Sequence, residues 1–215
     1  MKRLLVLLLL IAAAFTGLDA IECILADGRA IPADSRQYHF RHHNSNVDFH
    51  FFGSNKWVVR FDIQSAYPTL SSVSFNVQGV RLFFPNPGDS VTVELYTDQD
   101  GQPGSPVRTA SAPIDQSLMD ISFSEVYNAE TVWLMVSYPT SVGNRWVSAS
   151  RGGGEHSYFL NAVGEMQVLS SFAAAGFGAE LLFGLLGEFV LPEQDLQLCS
   201  FDLQVTDPVR AALDL

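Results

Sequence analysis

The chain has 215 residues, 47% of them hydrophobic, and a formal net charge of −11 from 23 acidic against 12 basic residues. Its only lysines are Lys2 and Lys56, so the clustered Lys and Arg that nucleic-acid binding needs to displace counterions are missing and that function is set aside. A single domain of this length buries roughly 70% of its unfolded surface, so no metal or other cofactor is expected to be needed for a core.

Lys2 and Arg3 precede an apolar run over 4–15 and a short polar exit ending in Ala20. That layout reads as a secretory signal peptide over 1–20, because the apolar stretch falls short of the about 20 residues that span a bilayer. The mature chain, from Ile21, is expected to be secreted, periplasmic or at the cell surface, with no transmembrane segment. Glu22 stands where a lipoprotein signal before Cys23 needs a small residue, which argues against a lipid anchor. The two cysteines, Cys23 and Cys199, are expected to pair in an oxidising compartment, restricting the unfolded chain by about 4–5 kcal/mol. Two buried thiols are the alternative.

Abundant Phe, Val, Ser and Thr with frequent Gly and Pro favour short strands joined by turns. Residues 38–52 alternate, which predicts a hairpin around Asn44-Ser45 with Tyr38, Phe40, Val47, Phe49 and Phe51 on one face. The other face would hold His39, Arg41, His43, Asp48 and His50. Of these, His39, His43, Asp48 and His50 form a candidate zinc or copper set. A solvated face with Asp48 paired to Arg41 explains the same residues.

Trp57, Val59, Phe61 and Ile63 then form a core face, followed by strands over 73–77 and 80–84. Pro85-Asn86-Pro87-Gly88 breaks the chain, after which Val91, Val93 and Leu95 point inward and Thr92, Glu94 and Tyr96 outward. From Asp98 the spacing begins like a calcium loop, but Pro103 and Thr109 occupy the positions that require Gly and Glu. A turn between two strands over 98–104 is predicted instead. Strands follow over 117–126 and 130–138, the run 132–136 being typical of a strand covered on both sides. Further strands are placed over 145–149 and 156–160, flanking Gly152-Gly153-Gly154, and over 165–170, 179–186 and 196–205. The apolar stretch 173–186 has some helical spacing, weakened by Gly176, Gly178 and Gly184. The predicted fold is all-β, a two-sheet antiparallel β-sandwich over 21–215.

The order Asn55-Lys56-Trp57-Val58-Val59-Arg60-Phe61, Tyr67-Pro68, Val77-Gln78-Gly79-Val80-Arg81-Leu82-Phe83-Phe84, residues 91–96, Asp100-Gly101-Gln102-Pro103-Gly104 and His156-Ser157-Tyr158 resembles a known module. It is similar to the jelly-roll-like β-sandwich of secreted and surface-sorted bacterial proteins, over about 38–187. The resemblance implies fold and compartment, and that family has no common catalytic residues to carry over.

A non-catalytic module for binding or surface interaction is therefore the leading expectation, its partner a polysaccharide or a surface protein. Glycan recognition is its sharpest form, since aromatic faces stack on sugar rings while neighbouring polar groups orient the hydroxyls. Glu94 with Tyr96, Arg145 with Trp146, and His156 with Tyr158 are the candidates, although ordinary sandwich aromatics would read the same. An extracellular hydrolase is one alternative, without a Gly-x-Ser-x-Gly or zinc-protease motif to support it. Envelope self-assembly through the apolar 173–186 is the other.

Overall fold

The computed structural model describes residues 23–24, 30–31, 38–68, 70–139, 146–152, 155–171 and 178–191. The chain divides into two compact units, Met1–Ser35 with Gln194–Leu215, and Arg36–Glu193. In the first, β1 (Cys23–Ile24) and β2 (Ala30–Ile31) pair antiparallel. The signal peptide, the side chain of Cys23, all of Cys199 and the strand expected over 196–205 lie outside the described residues. Nothing in the structure supports the Cys23–Cys199 bridge.

In chain order the second unit contains β3 (Tyr38–Arg41), β4 (Phe49–Phe51), β5 (Lys56–Asp62), α1 (Ile63–Ala66), β6 (Ser74–Phe83), β7 (Ser90–Gln99), β8 (Gln102–Pro113) and β9 (Leu118–Ala129). It continues through β10 (Thr131–Ser137), β11 (Val147–Arg151), β12 (Ser157–Leu160), β13 (Met166–Val168), β14 (Ala179–Leu181) and β15 (Phe183–Val190). Among the described residues these strands make three antiparallel sheets, ordered β13-β12-β5-β10-β7-β8, β3-β15-β6-β9 and β14-β11-β4. They pack as a sandwich, as the alternation of the sequence predicts.

Alternate residues of the central strands fill the interior: Trp57, Val59 and Phe61 from β5, Val91, Val93 and Leu95 from β7, and Val132, Leu134 and Val136 from β10 are buried. Phe75, Val77, Val80 and Leu82 of β6, with Phe183 and Leu185 of β15, are buried in the four-stranded sheet. The opposite face of the six-stranded sheet is also covered. There Val58, Trp133 and Met135 form a separate buried cluster, flanked by Tyr96, Tyr158, Leu160 and Met166. This explains the uninterrupted apolar run of β10, in which both sets of alternating side chains leave water.

Burying Trp133 on that face also buries its indole N–H, which needs an acceptor. Asp98 supplies it: its Oδ1 accepts from Trp133 Nε1 at 2.7 Å and from Arg60 Nε at 3.2 Å. Its Oδ2 accepts from the backbone N–H of Gly101 at 3.1 Å. Asp100 and Gly101 have φ of 53° and 78°, the two positive values that a two-residue hairpin loop requires. The acid that begins like a calcium ligand is thus the tie between the β7–β8 turn, β5 and β10. Burial opposes ionisation of Asp98, but the hydrogen bonds from Trp133, Gly101 and Arg60 outweigh it and hold the carboxyl below its ordinary value.

Three sequence expectations change. Strand β8, a twelve-residue edge strand, is not predicted, because Pro103, Pro106 and Pro113 read as turn residues. Proline lacks the ladder N–H but is tolerated where one side of a strand has no partner. Residues 38–52 do not form a hairpin: β3 pairs with β15 and β4 with β11. Ser45 has φ of 70°, and the turn is held locally by the Ser45 N–H donating to His43 Nδ1 and the Asn46 N–H donating to Asn44 Oδ1. This carries the chain from one sheet to another. The apolar stretch proposed for self-assembly is, over its described part, core: Ala179, Leu181, Leu182, Phe183, Leu185 and Leu186 are all buried.

Asp98→Ala should therefore strand the Trp133 N–H and cost about 1–3 kcal/mol, lowering the thermal midpoint by about 2–4 °C per kcal/mol for a chain of this size. Asp98→Asn, which keeps a carbonyl acceptor, should lose less. A midpoint for Asp98→Ala equal to that of the parent protein would show that the tie is dispensable.

Candidate functional site

At the end of the β4–β11 ladder, where Phe51 faces Val147 and His50 faces Ser148, the next residues out are Phe52 and Trp146. Their ring centroids lie 5.1 Å apart with planes tilted by 35°. Trp146 is 45% and Phe52 48% exposed, so this aromatic pair presents itself to solvent instead of joining the core. Beside it is an open groove of about 510 Å³ lined by Val47, His50, Phe83, Pro85, Asn86 and Trp146. That size lies within the range of small-ligand sites, which typically combine apolar walls with a few polar groups.

Several elements meet to form it. Leu182, between β14 and β15, donates its N–H to the carbonyl of Ser148 at 3.0 Å, and its own carbonyl accepts from the N–H of Phe83 at 3.1 Å. The end of β6 is thereby fixed against β11. His50 Nδ1 lies 3.1 Å from the hydroxyl of the fully buried Ser148, which orients the ring and leaves Nε2 for a ligand. Asn86 is exposed, and its amide makes no hydrogen bond among the described residues. Pro85 has a fixed φ and Pro87 restricts Asn86 to extended conformations, so that amide is held on a stiff loop.

Of the residues singled out by sequence, Trp146 and His50 reach this groove, while Arg145 lies outside the described residues. Tyr96 and Tyr158 come together elsewhere, around Trp133 on the covered face of the six-stranded sheet. The Trp133 and Tyr158 rings are 5.4 Å apart. Burial raises the hydroxyl pKa of Tyr96, with the charge of Glu94 adding to it, and burial likewise raises that of Tyr158. Those three residues therefore belong to a packing cluster. Val47, expected on an apolar face, is instead 44% exposed, and Asn86 is legible in the sequence only as part of a break. Neither they nor Phe52 carry a signal for a ligand site, because the β4–β11 pairing and the Leu182 junction that gather them join segments far apart in sequence.

The candidate metal residues separate. His39 and His43 contact edge to face, with ring centroids 5.6 Å apart. His50 is across the β4–β11 ladder on Ser148, and Asp48 Oδ2 accepts from the backbone N–H of Arg151 at 2.7 Å. Among the described residues no three His, Cys, Asp or Glu converge as metal ligands. His42, given no role by the sequence, instead stacks on His156 at 3.9 Å and on Phe61 at 5.2 Å. Its Nε2 donates to the carbonyl of Arg60 at 2.9 Å.

Burial first, and then the charges of Arg41 and Arg81, lower His39 to about 4. Burial, with His156 next to it, lowers His42 to about 4, and burial followed by His39 lowers His43 to about 3. His156 leads into the buried carboxylate of Glu180, which accepts from the Ser157 hydroxyl at 2.7 Å and from the His156 N–H at 3.4 Å. Burial raises the pKa of Glu180 against these bonds. Ser157 also accepts from the Leu181 N–H at 2.9 Å and is buried, so its hydroxyl is committed to structure and is not placed as a nucleophile.

No protein-family model matches the chain, and no curated protein matches it in sequence. Solved structures do share its fold. One is the clostridial cysteine protease Cwp84 after propeptide cleavage, at 12% identity and a TM-score of 0.57, covering 76% of this chain and 42% of that one. Another comprises the cysteine protease and lectin-like domains of Cwp84, a surface layer associated protein of Clostridium difficile, at 11% identity and a TM-score of 0.57, covering 75% and 38%. The chain thus spans about two fifths of the length of those structures.

The histidine environment sets a sign for acid stability. His39, His42 and His43 titrate near 3 to 4 in the fold against an ordinary 6.5, so between those values the unfolded chain binds more protons. Their contribution is fully present above 6.5 and is lost as pH falls through that window. Glu180 works oppositely, its raised pKa making its contribution fall as pH rises above the ordinary 4.5. Thermal midpoints should drop from 6.5 toward 4, and His42→Phe should flatten the slope after losing about 1 kcal/mol for the Arg60 hydrogen bond. An unchanged slope in that variant would remove His42 from the account.

Proposed function

We propose that the sandwich is an extracellular, jelly-roll-like binding module that recognises polysaccharide through the groove beside Trp146. The carrying observation is the exposed Trp146–Phe52 pair set next to a groove whose lining includes two polar side chains, His50, held through Nδ1 by Ser148, and Asn86, whose amide makes no hydrogen bond among the described residues. An indole stacks on the apolar C–H face of a sugar ring, and an amide and an imidazole hydrogen-bond the hydroxyls at its rim. The leader read from the sequence over 1–20 is part of this proposal and would deliver such a module to where polysaccharides are. The fold likeness to a surface layer associated protein whose structure includes a lectin-like domain supports both compartment and class.

Affinity electrophoresis through gels containing soluble polysaccharides tests this reading. The native protein should be retarded by at least one polysaccharide, and Trp146→Ala should migrate as in a blank gel while keeping its circular dichroism and thermal midpoint, because the side chain is half exposed. Retardation of Trp146→Ala equal to that of the parent would move the site elsewhere.

A further inference from the structure

We infer that the groove is built for a chain of N-acetylated amino sugars, an assignment that rests on the glycan reading of the same site. A plain glucan needs an aromatic plate for its C–H face and hydrogen-bond partners for its hydroxyl rim. Trp146 with Phe52 supplies the plate, and His50 Nε2 is available to a hydroxyl. The groove contains more than that. Val47, Phe83 and Pro85 give it an apolar wall, and Asn86 adds a primary amide to the same lining.

An acetamido substituent matches both parts at once. Its methyl group is apolar and gains by leaving water against such a wall. Its N–H and C=O form a donor and an acceptor side by side, to which the Asn86 carboxamide offers an acceptor and a donor in return. Because Asn86 stands between Pro85 and Pro87, its backbone is already restricted, so engaging the amide costs side-chain but little backbone freedom. A site that hydrogen-bonds a substituent favours it over analogues lacking it; because Asn86 is exposed, water replaces the lost partner and the discrimination is about tenfold, below what a buried group would give.

Charge agrees with the assignment. None of the described residues lining the groove carries a fixed charge, and the chain as a whole carries −11. An uncharged acetamide meets no opposing field, whereas uronates or sulfated sugars approach a protein of their own sign; an ammonium sugar is attracted by that charge, so a preference for acetamide over ammonium has to come from the contacts in the groove.

Calorimetric titration with three oligosaccharides that share one β-1,4 backbone tests the point: N-acetylated chito-oligosaccharide, its deacetylated counterpart and cello-oligosaccharide. They differ at one ring carbon, which bears acetamide, ammonium or hydroxyl. The acetylated chain should bind about tenfold or more tightly than either other chain. Asn86→Ala should erase that preference, bringing the affinity for the acetylated chain down to that of the cello-oligosaccharide. Equal or tighter binding of the ammonium or hydroxyl chain, or an Asn86→Ala variant that keeps the preference, overturns the acetamide assignment and leaves the glycan reading in place. Absence of binding to all three also overturns the assignment. If the native protein then shows no retardation on any polysaccharide gel, the glycan reading falls with it.

Discussion

The centre of the six-stranded sheet is dry on both sides, and much of the second unit follows from that constraint. Strands β5 and β10 send Trp57, Val59, Phe61, Val132, Leu134 and Val136 into the sandwich and Val58, Trp133 and Met135 into the cluster behind it. Each fully buried side chain of this kind contributes roughly 1.5–3 kcal/mol relative to exposure. A doubly covered strand is destabilised by each polar group it leaves unmatched; among the described residues Trp57 Nε1 and Ser137 Oγ are buried without a partner, whereas the indole N–H of Trp133 has one. Asp98 is that partner, accepting from Trp133 and Arg60 while closing the Asp100-Gly101 turn. One carboxylate thereby links the hairpin loop, the cover of the sheet and its central strands.

The edges of the two larger sheets are joined by side chains, in contrast to the sheets near the groove. β8 is an edge strand of the six-stranded sheet and β9 an edge strand of the four-stranded one. Arg108 of β8 donates to the carbonyls of Glu125 and Val126 at 3.0 and 2.9 Å, and its guanidinium lies 5.7 Å from the Tyr127 ring centroid. Those contacts hold the two edges together. Prolines on β8 further discourage pairing with another chain. Near the groove the sheets are joined differently, through Leu182, whose backbone bonds both Ser148 and Phe83. That junction brings β4, β11 and the β6–β7 turn side by side without filling the space between them.

The parts of this architecture that were legible in the sequence are those governed by local periodicity. Val91, Val93 and Leu95 alternate with Thr92, Glu94 and Tyr96 because β7 has one face in the core, and the structure keeps that alternation. The run 132–136 announced a strand covered twice, and the stretch 98–104 announced a turn, which the structure confines to Asp100-Gly101. Failures came where partners distant in sequence decide the outcome. His39 and His50 would share a face only if β3 and β4 paired, yet each finds another strand. β8 was hidden because proline is a poor strand residue until one knows that the strand is at an edge. The groove shows the same limitation: Trp146 could be suspected from its type and Pro85-Asn86-Pro87-Gly88 was legible as a break, but only the β4–β11 pairing and the Leu182 junction bring Phe52 and Asn86 beside it.

The three tryptophans make the argument for a site sharper than any one of them alone. Trp57 is 0% and Trp133 1% exposed, the second at the expense of a dedicated acceptor, so this fold readily removes indole rings from water. Trp146 is left at 45% and Phe52 beside it at 48%, although the transfer of aromatic surface from water is favourable. Scattered exposed apolar residues are ordinary on proteins. An exposed aromatic pair is different when it adjoins a groove, when an imidazole is oriented there from below by a buried serine, and when an amide is stiffened there by two prolines. Surface left uncovered in that company gains most of its stabilisation only when something else covers it.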